Sequence, residues 1–231
     1  VPTGNFGNIL AGYYAKQMGL PVHKLICASN DNKVLYDFFR TGIYNRNREF
    51  ILTSSPSMDI LISSNLERLI YKVCGFSSEQ NREYMKALSE KGVYTLNINE
   101  IQGLSDFWPG YADEAENAAE IRRVYEETGY IIDTHTGVAS AVYRKYAQET
   151  KDATPAVIVS TASPYKFARS VMTAIDPSWD KLEDFALIRE LNRVSKVPVP
   201  GAIREIMDAQ VRHNTVCDID QMETEVKNFL G

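Results

Sequence analysis

In Thr3-Gly4-Asn5-Phe6-Gly7-Asn8, two glycines flank a polar and an aromatic residue between the end of an apolar start and the onset of a helical pattern. In such a turn, successive backbone N–H groups can point into one concavity. The positive end of the following helix adds about half a unit charge, which favours an anion there. The chemistry on offer is phosphate binding by backbone groups. Taken alone, the same spacing also serves a plain strand-to-helix turn, and the plain turn is then the readier reading.

Three further residues carry chemistry by type and place. Thr161 follows the apolar run Ala156-Val157-Ile158-Val159, and ligands gather at the carboxyl ends of strands in open α/β sheets. Its hydroxyl equally suits the cap of a helix opening near Pro164. Lys166, in the first turns of that helix, can reach a substrate phosphate or can simply be solvated. His135 offers an imidazole, a side chain suited to carrying a proton, and a lone histidine beside a strand end is as readily a structural donor. Asp59, Asn65, Glu67 and Arg68 read as an N-cap and a polar helix face. Cys27, Cys74 and Cys217 are far apart and outside any CxxC or Cys/His spacing, which argues against a disulfide framework and against a metal site.

Helices and short apolar strands must hold these groups. A helix over Asn8–Met18 stops at Gly19, and Lys24–Ala28 reads as a buried strand. Asn30 or Asp31 is placed to cap a helix through Arg40, and Phe50–Leu52 is a short apolar run. An amphipathic helix is expected over Asp59–Cys74, and Ser77 with Gln80 opens the next one, which closes before Gly92. Val93–Leu96, Tyr130–Ile132 and Ala156–Val159 read as strands, the last as a buried one, with a surface helix over Ala112–Thr128. Strands separated by helices predict βαβ crossovers. The fold class expected is α/β, a mostly parallel sheet with helices on both faces. Pro198 to Gly201 is the candidate hinge before two final helices, Ile203–His213 and Ile219–Phe229. That divides the chain into 1–197, part of a large ligand-binding domain, and 198–231, a helical segment expected to pack on it.

Composition sets outer limits. With 231 residues and 44% of them apolar, the chain can bury a real core. Its formal net charge of −5 comes from interspersed acids and bases, without a basic block, so nucleic acid is not an expected partner. No apolar run reaches membrane-spanning length, and the N-terminus shows neither a charged region nor an apolar core of a signal peptide. The unpaired cysteines point to a reducing, cytoplasmic setting. Val1 stands at the end of a strand that has nothing before it, so an upstream portion is expected.

Taken as one string, Val1-Pro2-Thr3-Gly4-Asn5-Phe6-Gly7-Asn8-Ile9-Leu10-Ala11-Gly12-Tyr13-Tyr14-Ala15-Lys16 resembles the pyridoxal-phosphate (PLP) phosphate loop and following helix of threonine synthases. Ser55-Pro56-Ser57-Met58-Asp59-Ile60 and Ser63-Ser64-Asn65-Leu66-Glu67-Arg68-Leu69 are similar to a second signature of that family. Ser160 to Phe167 looks like its Thr-Ala-His-Pro-Ala-Lys-Phe run, and Ile132 to Gly137 like its Asp-Pro-His-Thr segment. There are departures: Asn8 stands where Asp is usual, Thr134 where Pro is common, and Ser163-Pro164-Tyr165 where His-Pro-Ala is usual. Backbone phosphate binding survives the first. A catalytic role for a histidine at 163 does not survive the last.

The resemblance implies the tryptophan-synthase-β-like fold of fold-type-II PLP enzymes, with residues 1–197 as the C-terminal half of the PLP-binding large domain. It also implies a reaction: O-phosphohomoserine loses phosphate by γ-elimination, and water adds at the β carbon to give threonine. It assigns Gly4, Asn5, Phe6, Gly7 and Asn8 to the cofactor phosphate and Thr161 to the pyridine nitrogen, with Lys166 and His135 as candidate substrate contacts. The family's PLP-binding lysine lies upstream of the phosphate loop, so no catalytic residue is expected within this chain, and the chain alone is expected to be inactive. Two rivals remain: another fold-type-II enzyme such as a threonine dehydratase, and a non-catalytic truncated or degenerate paralogue. The Ser-Pro-Ser-Met-Asp and Ser-Asn-Leu-Glu-Arg strings speak against the dehydratase.

Overall fold

The structure, a computed structural model, describes residues 1–231 and divides into two compact units, Val1–Val197 and Pro198–Gly231. The first unit opens with α1 (Gly7–Gln17), β1 (Leu25–Ser29), α2 (Val34–Thr41) and β2 (Ile43–Asn45). It continues with α3 (Leu66–Val73), α4 (Ser78–Lys91), β3 (Val93–Thr95), α5 (Ile98–Gln102) and β4 (Phe107–Tyr111). It ends with α6 (Glu114–Thr128), α7 (Thr134–Thr150), α8 (Ala168–Ile175) and α9 (Asp184–Ser195).

β1 is the axis of this unit. It runs parallel to β4, with Leu25 opposite Phe107 and Ser29 opposite Tyr111. Along its other edge, the Ala28 N–H donates to the Val1 carbonyl at 3.1 Å and the Thr3 N–H donates to the Ala28 carbonyl at 2.9 Å. Alternate side chains go to opposite faces, as the pleat requires. Leu25 and Cys27 join Phe6, Ile9, Phe38 and Phe107 in one apolar cluster. Ile26 and Ala28 pack with Val138 and Val142 of α7 on the other face. Helices therefore cover both faces of a small parallel sheet, which makes the fold α/β. Burial pushes the Cys27 thiol up to about 12, so it behaves as an apolar core residue.

A second pair of strands lies outside that sheet. β2 and β3 are antiparallel, with Tyr44 opposite Tyr94 and their rings stacked at 5.4 Å. Gly42, Gly92 and Gly129 end α2, α4 and α6 in the left-handed conformation that the sequence signals call for. Ser77 caps α4 by accepting from the Gln80 N–H at 3.2 Å.

Several expectations are corrected. Ala156–Val159 forms no strand: its backbone pairs with nothing in the chain, and Val157 is 87% exposed. An apolar run becomes a strand only where a neighbour accepts its ladder of hydrogen bonds, and the chain supplies none here. Tyr130–Ile132 and Phe50–Leu52 are also irregular. The helix expected from Asp59 begins at Leu66, after a 3-10 turn at Pro56–Met58 and an irregular stretch. Neither Asn30 nor Asp31 caps α2, whose N-cap is Lys33. The Asn30 side chain instead accepts from the Asn32 N–H at 3.0 Å, and Asp31 accepts from the Glu114 N–H at 3.3 Å. β4 was not expected at all, because Pro109 and Gly110 sit inside it, and a strand tolerates proline chiefly at an edge.

The second unit holds α10 (Gly201–Met207), a 3-10 turn at Ile219–Gln221 and α11 (Met222–Leu230). The first of the two helices expected here thus stops six residues before His213. Met222, Val226, Phe229 and Leu230 of α11 are exposed. No helix of the chain is long and apolar enough to cross a membrane.

Candidate functional site

A cavity of about 270 Å³ opens where the Gly4–Asn8 loop leaves the sheet. It is lined by the whole loop, by Ser57, Met58 and Asn65, and by His135, Thr161 and Lys166. The candidate residues singled out in the sequence thus meet in one place, although they come from segments more than a hundred residues apart. No carboxylate lines the cavity, and Lys166 is its one cationic side chain, so its charge suits an anion.

The loop is held by its neighbours. Phe6 has left-handed backbone angles (φ 64, ψ 8), which a side chain adopts only against strain. Its ring is buried and packs on Phe39 at 5.9 Å and on Phe107 at 5.5 Å, which offsets that strain. Gly4 has no room for a side chain: a Cβ there would collide with the Ser57 carbonyl oxygen and lie 3.2 Å from Met58 Cα. The backbone N–H groups from Gly4 to Ile9 find no acceptor within the chain. Consecutive unpaired N–H groups at a helix start, beside a cavity without carboxylates, fit a phosphate group.

His135 forms the opposite wall. Its Nε2 accepts from the Ser57 N–H at 3.1 Å, and its Nδ1 lies 3.1 Å from Asp133 Oδ1. With an acceptor at one nitrogen and a donor at the other, the ring carries its proton on Nδ1. Both nitrogens are engaged, and the ring rests against Phe167 at 4.8 Å. Asp133 caps α7 by accepting from the His135 and Thr136 N–H groups at 2.9 and 3.4 Å, and it also accepts from the Thr136 hydroxyl. Burial on its own raises the Asp133 carboxyl, but hydrogen bonds from His135 and Thr136 outweigh it and hold the group below its ordinary value.

Thr161 is exposed at the cavity, and its hydroxyl has no partner within the chain. The helical turn Pro164–Phe167 is capped by Ser163, which accepts from the Tyr165 N–H at 3.3 Å. The capping alternative for Thr161 thus falls away. Lys166 makes no ion pair; its Nζ stands 5.3 Å from the centre of the Phe167 ring.

Asp59 proves to be a hub of a different kind from the helix cap expected. It accepts from Asn30 at 2.7 Å, from Asn32 at 3.0 Å and from the Thr53 hydroxyl at 2.7 Å. The carboxyl end of β1 is thereby tied to the 53–59 segment that packs on Gly4.

The chain matches the family model described as threonine synthase, C-terminal, over residues 136–229. It is 43% identical over 178 residues to threonine synthase-like 1 from Homo sapiens, across 76% of this chain and 23% of that protein. Among solved structures, threonine synthase from yeast superposes with a TM-score of 0.80 at 29% identity, over 99% of this chain and 46% of that one. PLP-bound threonine synthase from Brucella melitensis gives 0.71 at 35% identity, over 85% and 46%. The chain corresponds to the C-terminal portion of a threonine-synthase-like protein. It spans between about a quarter and a half of the length of these relatives.

Within this threonine-synthase-like chain, some contributors to the site were not legible as such. Ser63 and Asn65 bind the carbonyls of Gly4 and Asn5, and Asp133 fixes the His135 ring. The signature strings named these residues, but their partners lie on other segments. Only the Asp-x-His spacing of Asp133 and His135, a helix cap two residues before a histidine, hinted at one of them.

Proposed function

We propose that the complete protein is a PLP-dependent threonine synthase, and that this chain supplies its phosphate cradle and its ring-nitrogen partner. The observation that carries the reading is the meeting of the unpaired N–H groups of Gly4 to Ile9 with the free Thr161 hydroxyl in one cavity. When bound, PLP supplies the electron sink for carbanion chemistry at the substrate amino acid. Gly4, Asn5, Phe6, Gly7 and Asn8 hold its phosphate through backbone N–H groups and the helix dipole of α1. Thr161 offers a hydroxyl to the pyridine nitrogen, which leaves that nitrogen largely unprotonated and moderates the sink. Lys166, the one cation at the cavity, is suited to a substrate phosphate such as that of O-phosphohomoserine. His135 holds the Ser57 end of the wall, while Asp133 keeps its proton on Nδ1. The PLP-binding lysine is expected upstream of Val1, in a cytoplasmic protein of greater length.

A second reading is a threonine-synthase-like protein that does not make threonine. It is raised by the 43% identity to threonine synthase-like 1 over 178 residues, whereas over the whole chain threonine synthase-like 1 from Mus musculus and threonine synthase from Eremothecium gossypii are equally similar, at 36% and 37%. The test is to incubate the complete protein and residues 1–231 with PLP and O-phosphohomoserine, measuring phosphate and threonine together. The first reading expects both products from the complete protein and neither from the shorter chain. One positioned acid–base group is worth roughly 10²–10⁴ in rate, and the upstream lysine also provides the covalent anchor. Phosphate without threonine from the complete protein would establish the second reading. Borohydride trapping of PLP on one lysine of residues 1–231, together with threonine formation, would overturn the upstream assignment.

A further inference from the structure

The peptide units of the Gly4–Phe6 loop are oriented from outside the loop. The Ser63 hydroxyl donates to the Gly4 carbonyl at 2.8 Å, in a buried setting. Asn65 donates to the Asn5 carbonyl twice, from its backbone N–H at 3.1 Å and from its side-chain Nδ2 at 2.7 Å. In a trans peptide unit the C=O and the following N–H point in opposite directions. Fixing the Gly4 and Asn5 carbonyls therefore turns the Asn5 and Phe6 N–H groups away from Ser63 and Asn65, to where no group of the chain accepts them.

The two donors are themselves anchored. The Ser63 N–H donates to the Tyr44 hydroxyl at 2.8 Å, and that hydroxyl donates to the Leu61 carbonyl at 3.1 Å. The Tyr44 ring is stacked on Tyr94, so the antiparallel pair β2–β3 stands behind Ser63. Asn65 Oδ1 accepts from Arg68 Nη1 at 2.8 Å, which leaves the amide nitrogen for Asn5. Each end of the clamp is thus a donor whose direction is set by a further bond.

We propose that Ser63 and Asn65 are positioning residues for the anion loop: by holding the Gly4 and Asn5 carbonyls, they aim the N–H groups of Asn5 and Phe6 at the cofactor phosphate. The inference rests on the phosphate-cradle reading above. It differs from plain loop stability in what it controls. A loosened loop whose amides point elsewhere loses its preference for a phosphorylated ligand, while its grip on the rest of that ligand is unchanged.

The test uses the complete protein and two probes, PLP and pyridoxal, which share the ring and aldehyde and differ in the phosphate. The quantity read is the ratio of their affinities, with thermal midpoints recorded alongside. Ser63→Ala removes one donor, and Asn65→Ala removes the side-chain donor to the Asn5 carbonyl without adding a charge at the cavity. Each is expected to lower the ratio by about threefold to tenfold, the range that one hydrogen bond spans. Asn65 is only half-buried, so its variant keeps the test open should Ser63→Ala fail to fold. A ratio equal to that of the unmodified protein overturns the proposal, as does an equal loss of affinity for both probes. An unmodified protein without any preference for PLP over pyridoxal overturns the phosphate reading itself, and the positioning role with it.

Discussion

Asp133 shows how one side chain serves both an element and the site. It caps α7 and orients the His135 ring, and its carboxyl has no exposed surface. Burial alone would raise its pKa, yet the hydrogen bonds from His135 and Thr136 hold it below the ordinary 3.8. A carboxyl depressed in the folded state contributes stability above its unfolded pKa and loses it as the pH falls through the folded value. Urea denaturation is therefore expected to show stability falling below about pH 4 by more in the unmodified protein than in Asp133→Asn. At neutral pH, Asp133→Ala is expected to cost about 2–3 kcal/mol, from a lost cap and orphaned donors. A neutral Asp133→Ala, or identical pH profiles, would remove this account. At this scale the site was largely legible, because Gly4 to Asn8, His135, Thr161 and Lys166 stand in short strings that name them. Their supports were not legible: the bonds from Ser63 and Asn65 to the loop join residues 59 and 60 positions apart, and spacing along the chain carries no trace of such a contact.

At the scale of elements, α6 and α7 illustrate packing that composition does not reveal. Glu120 of α6 is 2% exposed and is held by Ser140 at 2.6 Å and by Arg144 at 2.9 Å from α7, with Arg123 alongside. Burial works to raise this carboxyl too, and its hydrogen bonds to Arg123, Ser140 and Arg144 hold it low. The helices can approach this closely because Gly137 lies at the crossing. A Cβ there would collide with Asn117 Oδ1 and sit 2.9 Å from Ile121 Cγ1. Both neighbours are about 1% exposed, so neither can swing aside into solvent. Alanine in a helix is favoured over glycine by about 1 kcal/mol, while overpacking of a dense interior costs about 1–3 kcal/mol. Gly137→Ala is accordingly expected to lower the thermal midpoint, and a raised midpoint would show that α7 shifts freely. Helix ends were read well from sequence, because Gly42, Gly92 and Gly129 act locally. Strands were read unevenly: β1 and β3 lie within a residue of Lys24–Ala28 and Val93–Leu96, and the others do not. β4 was hidden by Pro109 and Gly110, whereas Ala156–Val159 has the composition of a buried strand but no neighbour to pair with.

That unpaired run dominates the chain as a whole. Ala156–Val159 forms one wall of an apolar groove of about 460 Å³, whose other walls include Leu25, Ile26 and Tyr143. An apolar segment with an unpaired backbone is a template for pairing with another chain, and exposed apolar surface of this kind drives association. The parallel sheets of α/β folds have both faces covered, and their strands read as continuous apolar runs, which matches the composition of this segment. Residues 1–231 on their own are thus expected to self-associate as concentration rises, as measured by sedimentation. Amides of Ala156–Val159 are expected to exchange with solvent far faster than those of β1, whose bonds lie inside a sheet. Val157 is 87% exposed, so Val157→Lys removes no core contact and is expected to shift stability by less than about 0.5 kcal/mol. The same change places a charge on the exposed edge, which opposes pairing. Association that weakens in Val157→Lys at constant stability ties the behaviour to this edge. Association that persists unchanged assigns it elsewhere, and the exposed apolar residues Met222, Val226, Phe229 and Leu230 of α11 are then the surface to alter next.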